Sequence, residues 1–306
     1  MADEIAYSSI GDLTVTAALN RRVMELVHDP TDLRALCFNV DGMAFGAGSV
    51  ATKVGQVQPA YAMSAPGEYT AAANTALVDS SFTLTAVARQ LRFTESDLAV
   101  LVSNGRVDPE ALAAYIARAV GHTATDLICT AGATASTNVG GGGGVDANID
   151  DVYDAIYALR AANVPGPYYA VWAHNSWNEI IGSLRGEGGA IQFQPATADL
   201  LALRGPGFQG SLLGVEHYSI DSVVEDTNVN QNFMFGYGAF AYKEEDVSDM
   251  ARRAGINTEV MMPGSAVYIT TFYEDTTRAL RLIGNYYGAF AVAEQARLVG
   301  ITTDDA

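Results

Sequence analysis

"VYDAIYALRAANVPGPYYAVWAHNSWNEIIGSLR", residues 152–185, reads as a helix, a strand and a second helix in immediate succession. Val152, Ile156 and Leu159 recur at three- and four-residue spacing and make one apolar stripe. Asp150 or Asp151 is the expected start of this helix, because carboxylates favour the positive end of the helix dipole. Asn163 followed by Pro165 ends it. "PYYAVWA" (167–173) is apolar enough for a buried strand. "NSWNEIIGSLR" places Ser176 and Glu179 in capping-box spacing, which predicts a short helix.

Downstream, "ATADLLALRG" is a further helix closed by Gly205, and "LLGVEHYSID" and "NFMFGYGAFAY" read as strands with aromatic content. "SAVYITTFYED" and "TRALRLIGNYYGAFAVAEQARLVGITT" predict long strands joined by an acidic turn at Glu274-Asp275. Upstream, "VDPEALAAYIARAVGHTATDLICT" predicts one helix from Pro109 to Cys129, capped by Asp108, with Gly121 weakening its middle by about 1 kcal/mol. Further upstream, "VATKVGQVQPAYAM" and "DSSFTLTAVARQLRF" alternate loosely as strands, with Pro66-Gly67 as a turn between them. Two such arms would form a ribbon about 50 Å long. A two-stranded ribbon is marginal by itself, so it lies either on this chain's own body or on a neighbouring subunit. Residues 1–45 hold little beyond a short amphipathic helix from Leu19 to Val27. The order of elements predicts α+β architecture, with the middle block inserted between the halves of a second domain.

A length of 306 residues suits one large domain or two modest ones. Apolar residues make up 49% and charged residues 17%, so a core is affordable and disorder is not expected. No stretch approaches the length of an apolar membrane span, and the acidic start "MADEIAYSSIGDL" is unlike a signal peptide. Cytosolic synthesis is the expectation. Cys37 and Cys129 have no metal-site spacing and are expected to be buried thiols. A net charge of −18 argues against a chain that grips nucleic acid, since it repels phosphate.

The most chemically suggestive stretch is "STNVGGGGGVDANIDD", 136–151. A Walker loop needs Lys and Ser/Thr after its glycines, and here Val145 and Asp146 stand there. Asp146, Asn148 and Asp150 match the opening of an EF-hand. Its sixth position is Asp151 rather than Gly, and its twelfth is Tyr157 rather than Glu. His28, His122, His174 and His217 are scattered, without HExxH or GxSxG motifs. His174 sits at a strand end beside a helix start, the one enzyme-like placement. Glu216 and His217 are strand neighbours facing opposite sides, which argues against a working pair. Neither a cofactor nor a metal is expected, and no residue is expected to be catalytic.

Taken in order, these segments resemble the major capsid proteins of tailed bacteriophages with the HK97 fold. "FTLTAVARQLRFTESDLAVL" is similar to the strand leaving that family's E-loop, and "VDPEALAAYIARAVGHTATDLICT" to its spine helix. The stretch 152–185 is similar to its axial-domain helix, strand and helix. "GSLLGVEHYSID" and "GAFAYKEED" are similar to axial strands, and "GAFAVAEQARLVGIT" to the closing strand. The resemblance implies an N-terminal arm over 1–45, an E-loop β-hairpin over 46–94 and a peripheral domain with the spine helix over 95–139. An axial domain over 140–257 and peripheral return strands over 258–306 complete it. Gly140, Gly141, Gly142, Gly143 and Gly144 are then a flexible joint (140–146) between domains. Pro66, Gly67, Glu68 and Tyr69, at the hairpin tip, are the expected assembly contact.

The implied function is an icosahedral shell of pentamers and hexamers enclosing double-stranded DNA without sequence-specific binding, in a virion assembled in the host bacterial cytoplasm. The implied partners are further copies of the chain, a portal, a separate scaffolding protein and decoration proteins, with no membrane. Lys53 lies near the hairpin base, so the covalent cross-linking of some members is not carried over. An encapsulin-type compartment shares the implied fold and is the nearest alternative. A cytosolic enzyme centred on His174 is the alternative of another class.

Overall fold

The computed structural model describes residues 33–39, 85–94, 122–186, 193–244, 267–274 and 279–305. The hairpin tip Pro66–Tyr69, the proposed first helix, Lys53 and His28 lie outside them. Elements follow in chain order: β1 (Phe38–Asn39), β2 (Thr85–Thr94), α1 (Thr123–Gly132), β3 (Thr137–Val139), α2 (Ile149–Ala161), β4 (Tyr168–Trp172), α3 (His174–Gly186), β5 (Phe193–Pro195), α4 (Ala198–Arg204), β6 (Phe208–Leu212), β7 (Val215–Ser219), β8 (Val229–Gly236), β9 (Phe240–Glu244), β10 (Val267–Glu274), β11 (Ala279–Val292) and β12 (Leu298–Asp304). This is an α+β chain, and it divides into two compact units. No described helix is long and apolar enough to cross a membrane.

In one unit, β11 is flanked by β10 and β2, both antiparallel to it. The β10–β11 pairing runs from Val267↔Tyr286 to Glu274↔Ala279, a hairpin as the sequence pattern predicts. All of β2 is in register with β11, from Thr85↔Gly288 to Thr94↔Ala279. The end of the predicted ribbon arm therefore pairs along one edge with this chain's own sheet, which satisfies the backbone groups on that edge.

The other unit is built on a seven-stranded mixed sheet in the order β3-β12-β8-β4-β7-β6-β5. β4 lies at its centre, parallel to β7 and antiparallel to β8, and all five of its residues are buried. A strand buried at every position needs cover on both faces. Tyr168, Ala170 and Trp172 face α2 and α3, joining Val152, Ile156, Leu159, Trp177, Ile180, Val215, Met234 and Ile301. Tyr169 and Val171 face the opposite core, with Ile128, Cys129, Phe208, Tyr218, Phe233, Phe235 and Phe240. Cys37 and Cys129 are both buried there as thiols outside any disulfide, as expected. β1 pairs in parallel with β9, and Tyr242 stacks on Phe290.

Four local expectations change. His122 sits in a turn and α1 starts at Thr123, with the Asp126 amide bonded to the His122 carbonyl, so the predicted helix is interrupted at His122, and its part over 109–121 lies outside the described residues. α2 starts at Ile149, not at an aspartate. Asn148 is its cap, accepting from the amides of Asp150 and Asp151 while the Asp151 carboxylate accepts from the Asn148 amide. α3 starts at His174, so Ser176 and Glu179 are interior residues rather than a capping box. The predicted closing strand is broken by a 3-10 turn at Gln295–Arg297, where Arg297 pairs with Glu294 and donates to the Tyr237 carbonyl.

Candidate functional site

The junction between β4 and α3 brings together the residues that the sequence marks as most enzyme-like. The chain passes from Trp172 into the helix with only Ala173 between them. The Ala173 amide donates to Asn232 Oδ1 at 2.7 Å, and its carbonyl accepts the first helical bond, from Trp177. His174 is exposed, and its Nδ1 lies 2.6 Å from Ser219 Oγ. A serine beside a histidine is the start of a nucleophile pair, but a working pair needs a third group orienting the base and donors for an oxyanion. No such orienting group bonds the other ring nitrogen of His174 among the described residues. Ser219 is held in β7, in register with Trp172, where its role is to tie the strand end to the helix start.

Beneath this junction lies a buried polar cluster. Asn232 of β8 donates to Thr303 Oγ1 (2.9 Å) and Ser176 Oγ (3.3 Å), which are themselves 2.9 Å apart. Asn230 donates to Asn175 Oδ1, to Ser176 Oγ and to the Asp304 carbonyl at 3.0 to 3.2 Å. Asn230, Asn232 and Met234 alternate onto one face of β8, and Val299, Ile301 and Thr303 onto the same face of β12. The cluster joins α3 to the last strand, with hydrogen-bond capacity spent internally. Glu179 does likewise: its carboxylate accepts from the Ala147 amide at 2.7 Å, and burial holds its pKa above the usual range.

His217 is fully buried between Trp172 and Trp177. Its Nδ1 accepts from the Trp172 indole at 2.9 Å, and its Nε2 faces the Leu212 carbonyl at 3.3 Å. Nδ1 accepting leaves Nε2 as the donor, so the ring is the neutral Nε2–H tautomer. Burial lowers its pKa to about 4. Glu216, one residue earlier, turns to the other face, where it pairs with Arg204 and accepts from the Tyr218 hydroxyl. Burial, with the Glu216 charge second, raises the Tyr218 pKa. The sequence-level geometry of Glu216 and His217 as back-to-back neighbours is the arrangement found.

The glycine run follows β3 along β12. Gly140, Gly142 and Gly144 have φ of 94°, 73° and 81°. The Gly142 amide donates to the Thr302 carbonyl at 3.1 Å, and the Asp304 amide donates to the Val145 carbonyl at 2.9 Å. A Cβ at Gly140 would stand 2.5 Å from the Thr302 carbonyl oxygen, whereas one at Gly142 meets open space. Of the cation-loop candidates Asp146, Asn148 and Asp150, the Asn148 side chain is engaged in the α2 capping box, where Asp151 is its partner. Among the described residues no cluster of His, Cys, Asp and Glu is arranged to hold a metal. Gly140→Ala is expected to cost about 2 kcal/mol from a left-handed backbone plus a main-chain clash, and Gly142→Ala about 1 kcal/mol from the backbone alone. Thermal unfolding of the two variants checks this, and equal shifts would contradict it.

Large apolar side chains are exposed on two helices: Tyr153 and Tyr157 on α2, and Leu200, Leu201 and Leu203 on α4. The helical periodicity of 152–159 predicted the buried stripe of α2 without marking its opposite face. Three leucines within a seven-residue helix were the signal available for α4.

No family model matches the chain, and no curated protein matches it. Solved structures do. One of Mycobacterium phage Che8 aligns over 89% of this chain and 90% of that one, with 19% identity and a TM-score of 0.57. The capsid of Ralstonia phage GP4 aligns over 88% and 87%, with 10% identity and a TM-score of 0.53. The holo-SrpI encapsulin complex from Synechococcus elongatus aligns over 75% and 77%, with 13% identity and a TM-score of 0.52. At these identities the likeness is one of architecture, and by that architecture the chain has the HK97 fold.

Proposed function

We propose that this chain is the major capsid protein of a tailed bacteriophage, assembling with copies of itself as pentamers and hexamers into the icosahedral shell of the virion. The observation that carries the reading is the alignment with a phage structure over about nine-tenths of both chains. The β4–α3 junction supports it from the other side, because its polar groups are spent on holding strands to a helix. A wall carrying a formal charge of −18 per copy lets packaged double-stranded DNA move rather than stick. A portal, a separate scaffolding protein and decoration proteins are the partners such a shell takes, and the host bacterial cytoplasm is where it assembles. The hairpin tip, Pro66 to Tyr69, is proposed as an assembly contact and the glycine run as the joint entering the axial region.

Expression with scaffolding protein or host extract, followed by size-exclusion chromatography and electron microscopy, tests the reading. Capsomers or closed shells are expected. A stable monomer under those conditions would overturn it. The alignment with an encapsulin complex favours one second reading, a compartment enclosing protein cargo. Particles that copurify with a protein cargo and no DNA would select it.

A further inference from the structure

Two exposed apolar faces of the seven-stranded unit call for an occupant. α4 has no buried residue, and Leu203 is 77% exposed. Seven residues are too few for a helix to hold itself in water, even with the Thr197 cap at one end and Gly205 at the other. Its stability has to come from packing on something. α2 is firmly packed on its inner side but presents Tyr157 at 75% exposure, with Tyr153 one turn earlier. Sheet order separates the two helices. α2 packs on β3, β12 and β8 at one side of the sheet, while α4 packs on β6 near the other. Four strand spacings from β12 to β6 amount to about 20 Å. Two unlike faces on opposite sides of one unit cannot meet within the chain, but they can meet between chains. Such a head-to-tail contact propagates into a ring when its rotation closes.

The charges flanking these faces are complementary. At 100° per residue, Asp199, Leu200, Leu203 and Arg204 share one side of α4, with Leu201 on the other side. On α2, Asp150, Tyr153, Asp154, Tyr157 and Arg160 share one exposed side. Each face thus reads acid, apolar, base from its N-terminal end. The Asp154–Arg160 and Asp199–Arg204 spans, at 1.5 Å per residue, are about 9 and 8 Å. Laid antiparallel, the two faces bring Arg160 to Asp199 and the α2 aspartates to Arg204, around a centre of tyrosine on leucine. Arg204 already pairs with Glu216 on its own chain, so the Arg160–Asp199 contact carries the specificity. We infer that the tyrosine face of α2 on one copy binds the leucine face of α4 on the next copy of this chain. This inference rests on the shell reading and assigns the surface through which that assembly closes.

A charge swap tests it. Arg160→Glu and Asp199→Arg should each reduce the yield of assembled particles at least about tenfold, because like charges then face each other. Both residues are exposed, so circular dichroism of the single variants should match the wild type, and thermal unfolding should shift only slightly, by the reversal of one favourable helix-end charge in each. The double variant, Arg160→Glu with Asp199→Arg, restores the pairing and should recover assembly. Wild-type yield from either single variant, or a double variant no better than the singles, would overturn the contact, leaving these faces to another occupant. A wild-type chain that stays monomeric would overturn the shell reading, and this contact with it. Wild-type shells alongside unaffected single variants would overturn the contact alone.

Discussion

Lowering the pH from 7 to 4 is expected to cost the seven-stranded unit about 3 kcal/mol through His217 alone. The group's pKa is about 4 in the folded chain and 6.5 when unfolded. Above pH 6.5 neither state carries the proton, and folding is not penalised. Between 6.5 and 4 the unfolded chain binds a proton that the folded one refuses, so stability falls as the pH falls. The refusal is structural. A proton on Nδ1 would confront the Trp172 indole N–H, donor against donor, in a site closed by two tryptophans. Burial holds the Asp151 and Glu179 pKa values above the usual carboxylate range, and these groups act with the opposite sign. They are common to wild type and variant, so comparison with His217→Phe removes them. That variant leaves the indole donor unpartnered and should be less stable at pH 7. Its deficit should then shrink as the pH approaches 4. Denaturant midpoints of both proteins between pH 4 and 7 measure this, and a deficit that is constant across the range would refute the assignment.

What was legible in the sequence follows from which forces are local. The α2 stripe, the fully apolar β4, the β10–β11 hairpin and the Gly205 stop of α4 rest on periodicity, run length and a cap, all visible within one element. Failures fall where two local signals compete or where the deciding partner is remote. Asn148 and Asp151 form the α2 capping box, but the aspartates around them offered rival starts and drew the boundary late. Ser176 and Glu179 have capping-box spacing, yet Thr303 and Ala147, distant in sequence, claim their side chains. The break at Gln295–Arg297 depends on Arg297 reaching the Tyr237 carbonyl, which no window around residue 297 contains. The ribbon posed a genuine alternative between self and neighbour, and for Thr85–Thr94 the partner is β11 of the same chain. As for the candidate site, the sequence marked His174 and His217 by position. Only the fold shows the first tied to Ser219 and the second sealed between tryptophans.

Asn232→Ala should cost about 3 kcal/mol, well beyond the effect of Asn230→Ala, although both residues belong to the same cluster. The difference lies in what each leaves behind. Asn232 accepts from the Ala173 amide and donates to Thr303 and Ser176. Its removal strands a main-chain N–H at the point where β4 becomes α3, and a buried donor without an acceptor costs about 1–3 kcal/mol. The loss of two further bonds, with a side-chain cavity, adds to that. Asn230 uses only its amide nitrogen, and its partners are acceptors: the Asn175 and Ser176 side chains and the Asp304 carbonyl. Asn175 is only partly buried, so water replaces part of what is lost, and a cost of about 1 kcal/mol follows. Unfolding of the two variants by denaturant at neutral pH separates the cases. Equal destabilisation would mean that the cluster acts as one indivisible unit, and that the Ala173 amide is not the group whose satisfaction fixes the start of α3.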